Sequence, residues 1–388
     1  MDNLNGYKAF EPGMICKGKQ YRENTDYEEE GGEICEKGMM HYCVNPFDVL
    51  NFYPLVNDSG KVSDFAAVKA LEKPVEGDNG KFATRKLHIG VKLGLPGFVK
   101  ACIDYLKEET IEKAPNSTGS GYSAKIGSSG DSAQIGSSGY SAQIGSSGDY
   151  AKIGSSGYSA QIGSSGYSAK IGSSGDSAKI GSSGYSAQIG SSGYSAQIGS
   201  SGDSAQIGSS GDYAKIGSSG DYAKIGSSGD SAQIGSSGDY AKIGSSGDYA
   251  QIGSSGYYAK IGSSGDYAKI GSSGYSAKIG SSGDSAQIGS GGDYAKIGSS
   301  GDSAQIGSSG DYAKIESSGE DSVICSSGAE SVVKAKLGSW ITLAEWKYSD
   351  EKNRMVPQFV KTEFVDGEKI KADTWYKLIG GEFTEVSP

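Results

Sequence analysis

The sequence predicts a mainly β protein: a parallel β-solenoid of nonapeptide repeats, two per coil, with a small α+β N-terminal domain and a β-rich C-terminal cap. Three observations carry this reading. The first is a period of nine, because 22 copies of (D/Y)(S/Y)A(K/Q)IGSSG place an Ile at every ninth residue from Ile126 to Ile315 without an insertion. The second is alternation within each copy, where Ala and Ile stand two apart around a Lys or Gln, the signature of a half-buried strand. The third is the Gly-Ser-Ser-Gly between strands, whose glycines tolerate positive φ and whose hydroxyls can bond nearby backbone. A single repeat buries too little apolar surface to offset the entropy of ordering nine residues, so stacking must supply the stability. Two repeats per coil place two parallel sheets face to face across an Ala/Ile core.

The array spans residues 122–333, ending in two degenerate copies at Ile324 and Val333 that keep the apolar beat. Residues 1–115 form the N-terminal domain, 116–121 a hinge and 334–388 the cap. The calcium-binding β-roll has the same period, but its Asp stands two places after a Gly, whereas here it stands one place after. Tyr also replaces that Asp in eight copies, leaving too few carboxylates for a calcium shell. A flexible, self-associating Gly/Ser/Tyr chain would have no need of an unbroken Ile register. An ice-binding solenoid would carry its hydroxyls on flat faces, whereas these Ser-Ser pairs are expected in turns and Thr is absent from the array.

In nine copies the residue before Ala is Tyr rather than Ser. Tyr222, Tyr240, Tyr258, Tyr294 and Tyr312 share one 18-residue register, interrupted at Ser276. On a two-repeat coil they are expected to stack on one outer face at about 4.8 Å. Lys follows two residues after eight of the nine Tyr, which would let ammonium and ring share that face. These five tyrosines are the candidate binding residues of the array.

In the N-terminal domain a helical stretch is expected over 98–111, and the densest segment is 34–54. Asn45 is placed to cap a short helix that begins at Pro46 and carries Phe47, Val49 and Leu50. Cys35, Gly38, His41, Cys43 and Pro46 partly match a Cys-x-x-Gly-Phe-His-x-Cys-x-x-Pro core, with Met39-Met40 where Phe is expected. On these residues the segment resembles an uncharacterised N-terminal domain that recurs in proteins of phages, prophages and gut bacteria. The resemblance implies no known activity. Cys16, Cys35, His41 and Cys43 form a ligand-like cluster that zinc could take as Cys₃His. Buried thiols are the simpler reading, since reduced Cys behaves as a small hydrophobe. A nucleophilic Cys43–His41 pair meets the difficulty that the two stand only two residues apart. His88, in the alternating stretch KLHIGVKL, reads as a strand residue, and five Cys do not make a disulfide framework.

Beyond the array, strands are expected at 339–346, 358–364, 369–377 and 382–386, with Asp366-Gly367 as a hairpin turn. Their role is to cover the strand edges that a free solenoid end would expose.

The net charge of −10 divides into −4, −2 and −4 over residues 1–119, 120–315 and 316–388. No segment is basic enough to hold a phosphate backbone, so no nucleic-acid partner is expected. With no long apolar run and no basic, apolar leader, neither a membrane span nor a signal peptide is expected, and the location reads as cytoplasmic or virion-associated. No cofactor is expected. The composite reading is a non-enzymatic structural or interaction protein, a rigid rod displaying rows of Tyr, Lys, Gln and Asp for multivalent binding to a protein or repetitive surface. The resemblance sets it among phage or prophage accessory proteins, as a fibre element or a decoy for host proteins. The alternative is an unidentified enzymatic activity in residues 1–115 presented on the rod.

Overall fold

The computed structural model describes residues 4–30, 38–57, 60–77, 80–107, 118–119 and 121–387. The protein is mainly β, with a parallel β-solenoid of about 12 turns over residues 125–343. Strands pair with the strand 18 residues on, as in Ile126↔Ile144 and Ile135↔Ile153, so one coil is two repeats and successive repeats alternate between two sheets.

Within a repeat the strand is Lys/Gln-Ile-Gly-Ser, for example Gln251–Ser254. It therefore starts at the Lys or Gln and runs through two residues expected in the turn. The inward row is Ala, Ile and the first Ser: Ala250 is 0%, Ile252 3% and Ser254 8% exposed. The period-2 pattern thus extends one step past Ile, and the turn is made by the second Ser, the Gly and the following Asp/Tyr pair.

The chain divides into two compact units. The first comprises Met1–Asn57, Lys61–Lys215 and Lys224–Ser228. Its N-terminal part is a seven-stranded antiparallel sheet in the order Thr25–Glu28, Lys86–Lys92, Asp64–Ala70, Asn5–Phe10, Met40–Cys43, Lys81–Thr84, Val75–Glu76. Helix α1 (Gly94–Lys107) begins four residues before the expected start, because Pro96 sits in a first turn where its missing N–H is harmless. Leu95, Phe98, Val99, Cys102 and Ile103 make its buried stripe, and Phe98 stacks on Phe65 with ring centroids 3.8 Å apart. The short helix is a 3₁₀ turn, Pro46–Asn51, in which the Asn45 side-chain Oδ1 accepts from the Phe47 N–H at 3.0 Å.

This N-terminal part packs on one solenoid sheet of the same unit. The interface is tight at two glycines: a Cβ on Gly208 would stand 3.2 Å from Val99, and one on Gly226 3.2 Å from Leu55 and 3.3 Å from Leu95. Lys170 adds an ion pair to Asp48 at 3.2 Å and lies 5.3 Å from the Phe47 ring centroid. That sheet starts inside the segment expected as a hinge, because Thr118 and Gly119 pair with Gly136 and Ser137; residues 116, 117 and 120 lie outside the described residues.

The second unit comprises Asp58–Gly60, Ile216–Ala223 and Gly229–Pro388. Here both parallel sheets end in antiparallel hairpins. Trp340–Ser349 pairs in parallel with Val323–Ser326 and antiparallel with Arg354–Phe364. Tyr376–Ile379 joins Val332–Lys334 and turns back into Glu382–Glu385. Trp375 lies against the array, 4.6 Å from the Lys314 ammonium and 5.2 Å from that of Lys334. Asp366-Gly367 is not the hairpin turn expected. The Asp366 carboxylate accepts from the N–H groups of Glu368, Lys369 and Ile370 at 2.9–3.1 Å, which closes a local loop instead of launching a strand. The hairpin turn is Gly380-Gly381, both at positive φ.

The two glycines of a repeat do different work. A Cβ on Gly238, in the turn, would fall 1.9 Å from the carbonyl oxygen of Gly220 one coil earlier. A Cβ on Gly235, in the strand of the uncovered sheet, would meet nothing within 4 Å, and Cys325 occupies the same strand position near the end of that sheet. Gly238→Ala should therefore lower stability by about 1–3 kcal/mol. Gly235→Ala should be neutral within about 0.5 kcal/mol, or stabilising through the unfolded state. Urea unfolding of the two variants measures both; equal losses would contradict the stacking described.

Candidate functional sites

The first unit contains a cavity of about 140 Å³ between the strands Asn5–Phe10 and Met40–Cys43, the 3₁₀ turn and the tip of a small hairpin. Lys8, Cys16, Lys17, His41, Cys43, Tyr53 and Lys81 are among its lining residues. The hairpin pairs Ile15 with Gln20 and Cys16 with Lys19, and its two turn residues, Lys17 and Gly18, both take positive φ. That turn brings Cys16 and Lys17 to the cavity wall.

Lys8 is 6% exposed. Its ammonium donates to the His41 carbonyl oxygen at 2.8 Å and lies 5.6 and 5.9 Å from the ring centroids of Phe10 and Tyr21. Burial pulls its pKa below the ordinary lysine value, with Cys16 and Cys43 acting in the opposite sense. The Tyr53 hydroxyl donates to Cys16 Sγ at 3.0 Å. His41 is pulled down to about 4, first by burial and then by Lys8, Lys81 and Lys17, and its Nε2 is buried without a hydrogen-bond partner. The Cys43 thiol is pushed up to about 12, chiefly by burial and then by Asp48.

Of the four ligand-like residues, Cys16, His41 and Cys43 line this one cavity, and Cys35 lies outside the described residues. Among the described residues, no three His, Cys, Asp or Glu side chains stand where they could hold a metal ion. The described cysteines, Cys16, Cys43, Cys102 and Cys325, are free thiols. Cys43 and His41 share a strand two residues apart, and a thiol raised so far supplies almost no thiolate at neutral pH. His88 is a strand residue whose Nδ1 meets Asp26 at 2.6 Å. Lys8 was not among the expected site residues; a lysine inside the apolar run Gly-Tyr-Lys-Ala-Phe was the available signal.

In the second unit the tyrosines form the other candidate site. They sit in the turns rather than on the strand faces, yet they stack at the 18-residue register. Ring centroids are 5.3 Å apart for Tyr222–Tyr240, 5.1 Å for Tyr240–Tyr258 and 4.9 Å for Tyr294–Tyr312, with planes within 18°. Sequence reasoning left a gap at Ser276. Tyr257 and Tyr275, from the neighbouring turn position, bridge it: Tyr258–Tyr257 meet edge to face at 4.8 Å, Tyr257–Tyr275 stack at 4.8 Å and Tyr275–Tyr294 tilt at 5.1 Å. Seven rings thus run in unbroken contact from Tyr222 to Tyr312. Beside the Ser276 step lies a shallow groove of about 390 Å³ lined by Tyr258, Tyr275, Tyr294, Lys278 and Lys296. Asp is not simply displayed: the carboxylates of Asp266, Asp284 and Asp293 accept the N–H of the residue 18 later, each at 2.8 Å.

Residues 4–101 match a family described as a domain of unknown function, DUF7666, which covers about a quarter of the chain. No curated protein and no solved structure matches the chain. Among the described residues no helix is long and apolar enough to cross a membrane.

His41 gives a pH test of the cavity. Its pKa lies below the ordinary 6.5 in the folded protein, so the unfolded chain binds the proton first. Stability present above pH 6.5 is then lost as the pH falls towards about 4. Urea unfolding at stepped pH should show a shallower loss across that window for His41→Gln than for the parent. Parallel profiles would mean that the imidazole is not held as described.

Proposed function

We propose that this protein is a non-enzymatic interaction scaffold whose solenoid presents an ordered row of tyrosines to a partner. The observation that carries this is the run of seven mutually touching rings from Tyr222 to Tyr312, each 36–54% exposed. Stacking orders these side chains before any partner arrives, so less rotamer entropy is lost on binding. Tyrosine also offers large contact area with a polar tip, the chemistry that protein-binding surfaces favour. Repetition at the coil spacing supplies many equivalent contacts and hence avidity towards a partner that is itself repetitive. The groove at Ser276, with two lysines beside three rings, offers a distinct point of register along the row. We place the protein among phage or prophage accessory proteins, as a fibre element or a decoy for host proteins; the resemblance around His41, Cys43 and Pro46 supports that setting.

The test is a comparison of the full chain with a Tyr240→Ser, Tyr258→Ser, Tyr294→Ser variant. Ser already fills this position in thirteen copies, so the fold should be retained, with a melting temperature lowered only by the lost ring contacts. Proteins captured by the full chain and identified by mass spectrometry should be lost from the triple variant. Capture that is unchanged would remove the tyrosine row from the account.

A further inference from the structure

We infer that the cavity of the N-terminal domain is a binding site for a small planar molecule carrying one carboxylate or phosphate group. The charged side chains that line it have one sign, with Asp48 standing behind Cys43. Lys8 and Lys17 line the cavity together with His41, and no Asp or Glu is among the described lining residues. Lys8 is almost wholly buried, and the contacts around its ammonium are a backbone carbonyl, two ring faces and the Cys16 thiol. A buried ammonium with no carboxylate in contact with it among the described residues is costly to maintain, and an anion in the cavity would complete it. His41 lines the same wall, and its Nε2 is buried with no hydrogen-bond partner.

The remaining walls choose the body of the ligand. Val49, Phe52 and Tyr7 are apolar or aromatic, and the cavity is partly open to solvent. Its volume of about 140 Å³ is close to the ~150 Å³ that accommodates a benzene ring. A single ring with one acidic substituent fits both the volume and the charge. The inference is independent of the tyrosine row, which lies in the other unit, so either can fail alone.

Calorimetric titration of the full chain with benzoate, phenyl phosphate and benzamide tests it. Benzoate or phenyl phosphate should bind, and benzamide, of the same shape without the charge, should bind at least about tenfold more weakly. Lys8→Met should abolish the difference. Lys17 is exposed, so Lys17→Gln should fold normally and weaken the anions while leaving benzamide unchanged. Bound benzoate should also slow iodoacetamide alkylation of Cys16 without affecting Cys325, which is exposed. Benzamide binding as tightly as the anions, no heat with either anion, or anion binding indifferent to Lys17→Gln would each overturn the inference.

Discussion

Each coil of the array rests on the glycine that closes the Ser-Ser-Gly turn. In copy after copy a Cβ at that position would lie about 2 Å from the carbonyl oxygen of the equivalent glycine 18 residues earlier, as at Gly148 over Gly130 and Gly310 over Gly292. No other residue lets successive turns approach so closely. With the turns seated, the strands fall into register, Ala and Ile stack on their own kind, and the hydroxyl of the first Ser is carried inside. Several of those hydroxyls, such as Ser164 and Ser236, are buried without a partner, and others accept only a long 3.4 Å bond from the turn glycine. This is a cost that a core of Ala and Ile must offset, and the tight turn leaves the chain no other direction in which to point that residue.

The same stacking explains why the tyrosines form a row. Their spacing of 4.8–5.3 Å is the strand spacing carried outward through the turn, not a separate recognition device. It also explains the difference between the two strand glycines. Along the uncovered sheet they face open space, whereas in the first unit Gly190, Gly208 and Gly226 allow Val99, Leu95 and Leu55 to reach the backbone. A repeat copied without change therefore serves two surfaces, one of which has acquired a domain.

Much of the fold was legible because stacking leaves a strict record. An Ile every ninth residue, with Ala two before it, was enough to give the sheets, the coil of two repeats and the parallel pairing. Asn45 and Pro46 gave the 3₁₀ turn, because a cap is a local matter of one side chain and one N–H. The strand limits were misread since Gly and Ser look like turn residues wherever they stand, although the period-2 step from Ile to Ser was there to follow. The Asp366-Gly367 signal failed because the carboxylate found three backbone donors of its own. The break in the tyrosine row was misjudged because Tyr257 and Tyr275 occupy a different position in the repeat and reach the row only through the geometry of the turn. The cavity was least legible. Lys8, Lys17, His41 and Tyr53 meet through strand pairings and a hairpin that bring together residues up to 45 apart in the chain.

The central claim is that residues 18 apart, and not nine, are neighbours. Nitroxide labels on cysteines introduced at Gly289, Gly298 and Gly307 test it most directly, since a Cβ at each of the three meets nothing within 4 Å and Gly289 pairs directly with Gly307. In a background with Cys16, Cys35 and Cys325 replaced by Ser, labels at 289 and 307 should sit about 4.8 Å apart at the backbone and show strong spin–spin broadening. Labels at 289 and 298 should give the sum of the single-label spectra. Broadening of the nine-residue pair, or of neither, would contradict the two-repeat coil.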